Sequence, residues 1–377
     1  MKRLLTIGHS YVVALNRRLA DEMARQGNGR WSVTAAAPES YHGDLRPIVL
    51  ERGSDQACEV RGLTAHLSRF PHLMFYGGLR KLLAEPWDMI HCWEEPYVAA
   101  GAQIAALAPS GVPLVFATFQ NLSKQYPPPF NWMERRVLRR ADGWIAFGRT
   151  VYETQVARPG YSDIPSRVIP PGVDTGRFIP DAAARRRVRS ERGWNDDIPV
   201  VGFLGRFVPE KGLALLTSAL RQVAEPWRAL FVGGGDSQSE LHALAASYPG
   251  RVSIATNVAH DEVPAYLNAM DVLCAPSQTT PRWREQFGRM LIEAMACGVP
   301  VVASRSGEIP HVVGDAGLLL CEDDVEEWTR ALRDVVSNPE LRRDLADRGL
   351  RRARLEFAWP VVARRHLEFF DDVVAGR

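Results

Sequence analysis

Short apolar runs alternate with helical patterns from one end of the chain to the other. This alternation predicts a parallel α/β architecture, with helices covering both faces of each sheet. The first half of the chain is expected to contain strands at residues 4–7, 32–36, 89–92, 114–117, 143–146 and 167–169, and helices at 12–25, 97–108, 132–140 and 150–157. Residues 41–87 follow no regular pattern, so we predict no order of elements for them.

The pattern breaks at residues 169–174, Ile-Pro-Pro-Gly-Val-Asp, where two prolines and a glycine end the preceding strand. A second α/β series follows, with strands expected at residues 200–204, 229–232, 251–255, 272–275, 299–303 and 318–320. We therefore predict two Rossmann-like, doubly wound domains, residues 1–170 and 171–356. They are expected to face each other across a crevice, because ligands of such sheets bind outside the carboxyl ends of the strands.

The segment 284–304 combines a loop, a helix opened by Gly288, and a buried strand. Two carboxylates lie in it, Glu285 in the loop and Glu293 among apolar residues of the helix. Positions eight apart on a helix differ by about 80°, so the two do not share a helix face. A carboxylate among apolar neighbours is unusual unless a ligand hydroxyl or a cation satisfies it. A solvent-facing Glu293 would explain that residue alone and leave the loop unexplained.

The two glutamates, with Phe-Gly after the first and Ala-x-Ala-x-Gly-x-Pro-Val after the second, resemble the signature of the family 4 retaining glycosyltransferases. These are two-domain GT-B enzymes that use nucleotide-sugar donors. The resemblance implies an enzyme of polysaccharide biosynthesis that moves a hexose from a UDP- or GDP-sugar. Heavy use of Arg and Ala suggests that the gene is bacterial. The acceptor would be a glycan, a lipid-linked glycan or a small metabolite. The final helix, within residues 357–377, would cross back to the N-terminal domain.

Residues 202–212, Gly-Phe-Leu-Gly-Arg-Phe-Val-Pro-Glu-Lys-Gly, end one strand and open a helix. Gly205 allows the backbone to approach a ligand closely, and a helix N-terminus offers free amides. Arg206 and Lys211 add two positive charges, which match a diphosphate. The segment resembles the family's Gly-Arg-x4-Lys-Gly donor-phosphate site, although a solvated surface pair is the alternative.

The resemblance also implies roles for the remaining donor-site residues. Glu293 would accept hydrogen bonds from the ribose diol, and Glu285 would contact the transferred hexose. Glu285, Arg206 and Lys211 are the expected catalytic residues. The expected donor-binding residues are Gly8, Gly205, Arg206, Lys211, Gly234, Val258, Glu285, Phe287, Gly288 and Glu293.

Four polar residues lie at or after the ends of predicted strands of the first domain and are expected on the acceptor side: His9, His91, Gln120 and Asn121. A purely structural hydrogen bond is an equal alternative for His9. Gln120 occupies a position where many family members have histidine, and a neutral amide cannot carry a proton near pH 7. Retaining enzymes are thought not to need a histidine base, because the leaving phosphate can take the acceptor proton.

The composition of the chain excludes several kinds of binding partner. Lys and Arg total 46 against 44 Asp and Glu, a net charge of +2, so we expect no nucleic-acid partner. The five cysteines include no Cys-x-x-Cys pair, which favours reduced core thiols. Because no Asp-x-Asp triplet occurs, we expect no metal and no cofactor, the nucleotide-diphosphate sugar being a co-substrate.

We expect a cytoplasmic location, because the N-terminus lacks a signal-peptide pattern and no apolar run approaches the ~20 residues of a membrane span. The basic segment 134–140 could rest on the inner face of an anionic membrane or be a solvated helix face. Two other functions stay open. A GT-B epimerase or phosphorylase would convert donor without an acceptor, and a catalytically silent protein would bind sugar nucleotide without transfer.

Overall fold

The structure is a computed structural model that describes residues 1–42, 47–53 and 56–376. Two compact units make up the chain. The N-terminal unit consists of Met1–Pro171 together with the last helix of the chain, and the C-terminal unit is Gly172–Ala358. The boundary between Pro171 and Gly172 falls within the Pro-Pro-Gly break of the sequence.

The N-terminal unit is built on one eight-stranded sheet. Its eight strands are β1 (Lys2–Ile7), β2 (Trp31–Pro38), β5 (Glu59–His66), β6 (Phe75–Gly77), β7 (Met89–Cys92), β8 (Leu114–Thr118), β9 (Gly143–Ala146) and β10 (Ser166–Val168). Two further strands, β3 (Ser40–His42) and β4 (Pro47–Val49), form a separate antiparallel pair. The sheet order is β10-β9-β8-β7-β1-β2-β5-β6, parallel except for the antiparallel β5–β6 pair. The order reverses between β1 and β7, which makes that point the topological switch of a doubly wound sheet.

Helices cover both faces of this sheet. They are α1 (Arg18–Gln26), α2 (Leu79–Leu83), α3 (Ala99–Leu107), α4 (Phe130–Arg140), α5 (Arg149–Val156) and the C-terminal helix (Trp359–Ala375). The C-terminal helix packs on the same face as α1, burying Phe370. The helix expected at 12–25 is shorter, because Val13 is extended and buried Arg17 donates to the carbonyls of Tyr11 and Glu51.

The C-terminal unit has a six-stranded parallel sheet. Its strands are β11 (Val200–Arg206), β12 (Arg228–Gly234), β13 (Val252–Ala255), β14 (Val272–Ala275), β15 (Val301–Ser304) and β16 (Gly317–Leu320). The order β13-β12-β11-β14-β15-β16 reverses between β11 and β14. Its helices are α6 (Ala182–Ser190), α7 (Leu213–Gln222), α8 (Gln238–Ser247), α9 (Val263–Asn268), α10 (Arg289–Ala296), α11 (Ile309–Val313), α12 (Val325–Ser337) and α13 (Pro339–Arg352).

The helices of the C-terminal unit begin in two different ways. The side chains of Asp181, Asp324 and Asn338 accept backbone hydrogen bonds at the N-termini of α6, α12 and α13. Helices α7 and α10 begin instead at Gly212 and Gly288, both left-handed and without a side-chain cap. The first amides of α7 and α10 are therefore not occupied by a capping side chain.

All five cysteines are free thiols; Cys321 is exposed and the others are buried. Among the described residues, no helix combines the length and the apolar character needed to cross a bilayer.

Candidate active site

A buried ion pair lies at the switch point of the C-terminal unit, where β11 and β14 are neighbours. Lys211 Nζ is 2.5 Å from Glu285 Oε2, and the hydroxyl of Ser277 donates to the same oxygen at 2.9 Å. The Lys211 ammonium also lies 5.1 Å from the centre of the Trp283 ring. The side chains of Lys211 and Glu285 are 12% and 9% exposed. Two residues that the sequence assigns to different parts of the donor are thus brought into direct contact.

Local backbone geometry explains how both residues reach this point. Lys211 ends a 3-10 turn (Pro209–Lys211), and the left-handed Gly212 that follows it lies against the end of β14. A Cβ at Gly212 would be 1.8 Å from the carbonyl oxygen of Pro276, so no other residue fits there. The carbonyl of Glu285 accepts from the amide of Glu308 at 3.0 Å, which holds the Glu285 loop in place.

Arg206, the last residue of β11, differs from Lys211. Its side chain is exposed and makes no hydrogen bond or ion pair with any residue that the structure describes. Arg206 and Lys211 thus give the switch point one unpaired and one paired cation.

Glu293 lies on α10, buried at 9% exposure, as the sequence suggests. No side chain in the described part of the chain donates a hydrogen bond to its carboxylate. Burial raises the pKa of Glu293 to about 7, against the opposing influence of the charges of Arg289 and Arg177. A ligand with hydroxyl groups would stabilise this carboxylate by donating hydrogen bonds to it.

The other expected donor-site residues are spread along the C-terminal unit. Gly234 ends β12 and pairs with Arg206 across the sheet. Val258 is partly buried in the loop after β13. Gly288 is the uncapped start of α10, whereas the Phe287 side chain packs in the core, with its ring 5.9 Å from that of Phe357. Only the backbone of Phe287 is therefore available to a ligand.

The switch point of the N-terminal unit holds a second cluster, formed after β1 and β7. His9 Nδ1 is 2.7 Å from Glu94 Oε2, and the His9 amide donates to Glu94 Oε1 at 2.6 Å. The hydroxyl of buried Tyr76 donates to Glu94 Oε1 at 2.5 Å. Glu94 is 3% exposed, whereas the His9 side chain is 38% exposed. Gly8, expected at the donor, precedes His9, and a Cβ there would be 2.9 Å from Trp93 Cβ.

The charge state of His9 follows from this contact. Burial disfavours the imidazolium, but the adjacent Glu94 carboxylate outweighs burial, so the pKa of His9 is raised. The sequence assigned no role to Glu94. The available signal was the pair Glu94-Glu95, which begins two residues after the end of a buried strand, where the carboxyl edge of the sheet binds ligands.

Glu95 is the second carboxylate at this edge. It accepts from the Phe119 amide and from Thr118 Oγ1, both at 2.7 Å. Burial nevertheless raises the pKa of Glu95 to about 7.

The structure corrects the expectation that His91 lies at the edge of the acceptor site. His91 is fully buried, with its Nδ1 3.1 Å from the hydroxyl of Thr6 and its ring packed against His366 and Phe370. Burial and the neighbouring His366 hold the pKa of His91 well below its usual range. Strand alternation directs His91 into the core, where an acceptor cannot reach it.

Gln120 and Asn121 are also buried, at 7% and 1% exposure. The Gln120 side-chain oxygen accepts from the amide of Leu122 at 3.0 Å, and its carbonyl accepts from Gln155 at 2.7 Å. The carbonyl of Asn121 accepts from Thr154. These contacts give both residues a part in shaping the loop after β8.

Comparison with known proteins agrees with this architecture. The model of Glycosyltransferase Family 4 matches residues 12–177, and that of glycosyl transferases group 1 matches residues 184–352. A D-inositol 3-phosphate glycosyltransferase of Stackebrandtia nassauensis is 31% identical over 405 aligned positions, which cover 97% of this chain and 87% of that protein.

Two further relatives differ in how much of the chain they match. A GDP-mannose-dependent alpha-(1-6)-phosphatidylinositol monomannoside mannosyltransferase of Mycolicibacterium smegmatis is 39% identical over 180 residues. That alignment covers 45% of this chain and 47% of the relative, so the chain spans about half of its length. The structure of Anabaena Alr3699/HepE in complex with UDP superposes with a TM-score of 0.75 at 21% identity, covering 99% of this chain and all of that one.

The two Rossmann-like sheets and this superposition give the chain the GT-B fold, as the sequence predicted. The chain belongs to glycosyltransferase family 4, the glycosyl transferases group 1, and it is an enzyme of that class.

Proposed function

We propose that this enzyme moves a hexose from a UDP- or GDP-sugar to a hydroxyl acceptor with retention of configuration and without a metal ion. The observation that supports this proposal best is the arrangement at the C-terminal switch point. There the Lys211–Glu285 pair lies at the uncapped start of α7, after the β11 strand that ends in Arg206, which forms no ion pair with a described residue. Positively charged side chains and uncapped backbone amides both donate hydrogen bonds to phosphate oxygens, so together they can bind a diphosphate.

Lys211 is the proposed ligand of the donor phosphates. An ammonium has three donors, so Lys211 can contact a phosphate oxygen while it keeps its bond to Glu285. Arg206 has its whole guanidinium available for the second phosphate. Both charges would stabilise the diphosphate as it leaves, a task that a metal ion performs in other enzymes. The described residues contain no group of three His, Cys, Asp or Glu placed to bind a metal.

The two glutamates would act on different parts of the donor. Glu293, buried and with no hydrogen-bond donor among the described side chains, suits the ribose diol. Glu285, already ordered by Lys211 and Ser277, would contact the transferred hexose, where positive charge develops in the transition state. In the transfer, the bond from the anomeric carbon to the phosphate oxygen breaks as the bond to the acceptor oxygen forms on the same face. The acceptor proton then passes to the departing phosphate oxygen.

The names of the relatives favour a polyol acceptor, either free or attached to lipid. One is called a D-inositol 3-phosphate glycosyltransferase, and the other a phosphatidylinositol monomannoside mannosyltransferase. We propose that His9 of the N-terminal unit contacts the acceptor, because Glu94 holds its ring in place and its side chain is partly exposed. GDP-mannose and UDP-glucose are the first donors to test, since the second relative's name specifies GDP-mannose and Alr3699/HepE is also described in complex with UDP-glucose.

Calorimetry with UDP, GDP and the matching nucleosides tests the donor site. Replacing Arg206 by Ala should weaken diphosphate binding by about 1.5–3 kcal/mol, the value of a charged hydrogen bond, and leave nucleoside binding unchanged. Glu293→Gln should weaken nucleoside and diphosphate alike, whereas Glu285→Gln should spare both and lower turnover. Arg186→Ala, an exposed arginine on α6, is the matched control. Equal diphosphate affinity in Arg206→Ala and wild type would refute the assignment.

Product analysis separates the proposal from its two alternatives. Transfer that survives excess EDTA and yields an anomer with the donor's configuration supports it, and strict dependence on Mg²⁺ or an inverted product contradicts it. Conversion of donor without acceptor indicates an epimerase. Tight binding with neither transfer nor hydrolysis indicates a catalytically silent binding protein. Gln120, which replaces a histidine and holds the Leu122 amide, would then be a structural residue only.

A further inference from the structure

One loop of the C-terminal unit surrounds the turn that carries Lys211. This loop connects β14 to α10. Its Gln278 amide donates to the carbonyl of Glu210 at 2.8 Å. A Cβ at Gly212 would be 1.8 Å from the carbonyl oxygen of Pro276, so the same loop also packs directly against the residue that follows the lysine. The loop therefore holds the backbone on both sides of Lys211.

Trp283 lies in an ordered turn of this loop, where it forms an antiparallel bridge with Thr280. The Trp283 carbonyl accepts from the amide of Thr280 at 2.7 Å, and the Trp283 amide donates to the carbonyl of Thr280 at 3.3 Å. Just before the turn, Thr279 Oγ1 donates to Glu322 Oε1 at 2.8 Å and lies 2.9 Å from Ser306 Oγ. None of these hydrogen bonds depends on the indole ring of Trp283.

The indole ring instead contacts the lysine. Lys211 Nζ is 5.1 Å from the centre of the Trp283 ring, within the limit of about 6 Å for a cation–π interaction. The same nitrogen is 2.5 Å from Glu285 Oε2. The lysine side chain is largely buried, whereas Trp283 is partly exposed. A long, flexible side chain with two such contacts has lost much of its rotamer freedom before a ligand arrives.

We propose that Trp283 is a positioning residue of the donor site, which acts through Lys211. An ammonium has three N–H donors. Glu285 accepts from one of them, the face of the Trp283 ring attracts the second, and the third is directed to an oxygen of the donor diphosphate. Without the ring, the lysine would have to be ordered on binding, and that ordering costs affinity. This inference rests on the proposed function, in which Lys211 binds the diphosphate.

The alternative is that the ring only covers the lysine stem, as any apolar side chain could. The two roles differ in what Trp283 must supply, either a π face or volume alone. Phenylalanine keeps a π face, whereas leucine fills a comparable space without one. Comparison of Trp283→Phe with Trp283→Leu therefore isolates the contribution of the π face.

Calorimetry with UDP, GDP and the matching nucleosides measures this contribution. Trp283→Leu should bind the diphosphates about tenfold more weakly than wild type, and Trp283→Phe about threefold more weakly at most. Neither variant should change nucleoside binding. In the transfer reaction, Trp283→Leu should lower kcat and leave the KM of the acceptor unchanged, because Lys211 stabilises the leaving diphosphate. Trp132→Leu, which removes a tryptophan of the N-terminal unit that is 63% exposed, is the matched control and should behave as wild type.

A double-variant cycle tests whether the ring acts through the lysine. In the Lys211→Met background the ammonium is absent, so adding Trp283→Leu should not weaken diphosphate binding further. A further tenfold loss in that background would overturn the inference, because the ring would then act on the ligand directly. The comparison of Trp283→Phe with Trp283→Leu needs no lysine variant, so it does not depend on the stability of Lys211→Met.

Two other results would also overturn the positioning role. Equal diphosphate affinity in Trp283→Phe and Trp283→Leu would mean that the ring only fills space. Weaker binding of UDP-glucose by Trp283→Leu, with unchanged binding of UDP, would mean that the ring contacts the hexose.

The inference and the proposed function fail in different ways. If Lys211→Met binds UDP and GDP as tightly as wild type, Lys211 is not a phosphate ligand, and both the donor-site assignment and the positioning role are overturned. If Lys211→Met binds them more weakly while Trp283→Leu binds them as wild type does, the donor-site assignment stands and the positioning role alone is overturned.

Discussion

The two units place a cation and a carboxylate at the same topological point but build the pair from different chemistry. In the C-terminal unit the pair is Lys211–Glu285, supported by the hydroxyl of Ser277. In the N-terminal unit it is His9–Glu94, supported by the hydroxyl of Tyr76. In both, the cation follows the first strand of the sheet, and the carboxylate follows the strand across the switch.

The difference lies in which partner is exposed and which can change its charge. Lys211 and Glu285 are both largely buried, so their surroundings hold the C-terminal pair in one arrangement. His9 is the exposed partner of its pair, and histidine is the side chain whose charge changes near neutral pH. The doubly wound fold thus provides one place for a charge pair, and the local sequence decides whether both partners are enclosed or one is an exposed histidine.

The largest effect is expected from Lys211→Met, which leaves the Glu285 carboxylate buried without its cation. We expect the free energy of unfolding to fall by about 3–5 kcal/mol, measured by urea denaturation at pH 7.5. The double variant Lys211→Met/Glu285→Gln should recover most of this loss, because no buried charge remains. A single variant as stable as wild type would show that the pair is solvated.

Replacing Glu94 by Gln should cost less, about 2 kcal/mol, since the amide keeps the shape but loses hydrogen bonds to an ionised acceptor. The pKa of His9 should fall, which proton NMR of the His9 ring can measure. Because the pair raises that pKa, its stabilisation is complete below the ordinary value of about 6.5 and is lost as the pH rises through the raised one. The stability difference between variant and wild type should therefore be larger at pH 6 than at pH 9. Tyr76→Phe, which removes one donor, is the milder control.

Much of this arrangement could be predicted from the sequence, because strand and loop chemistry are local. The buried strands, the break near Pro171, and the positions of Glu285 and Glu293 follow from short-range patterns. The family, the GT-B fold and the enzyme class are confirmed. The donor and acceptor roles of individual residues stay predictions.

The remainder depends on contacts between distant segments. His91 was assigned to the site because it ends a strand, yet the C-terminal helix covers it with His366, a residue from the far end of the sequence. The Lys211–Glu285 contact joins residues 74 positions apart, and the His9–Glu94 contact joins residues 85 apart. Residues 41–87 have no clear period, because β5 and β6 pair at an edge of the sheet and the loop between them exposes apolar residues.

Glu293 sharpens the comparison, because it is a buried carboxylate of the C-terminal unit that forms no ion pair with a described residue. Its pKa is raised to about 7, so its favourable contribution is complete below the ordinary value of about 4.5 and is lost as the pH rises through 7. Glu293→Gln should therefore be more stable than wild type by about 1–3 kcal/mol at pH 8.5 and nearly equal to it at pH 4.5. Thermal unfolding across this range measures the effect. A variant less stable than wild type at pH 8.5 would mean that the carboxylate has a partner in the free protein.

The smallest effect is expected from Arg206→Ala, the exposed cation at the same switch point. Because its side chain is exposed and makes no hydrogen bond or ion pair with a described residue, its removal should change the free energy of unfolding by less than about 0.5 kcal/mol. Urea denaturation of Arg206→Ala and Lys211→Met under the same conditions compares the loss of an exposed arginine with the loss of an ion-paired lysine. Adding UDP or GDP at saturating concentration should then stabilise wild type more than Arg206→Ala, since only the lost ligand contact separates them. A loss of stability in Arg206→Ala without nucleotide would place this arginine in the structural network of Lys211 and Glu285, and the two cations would no longer have separate roles.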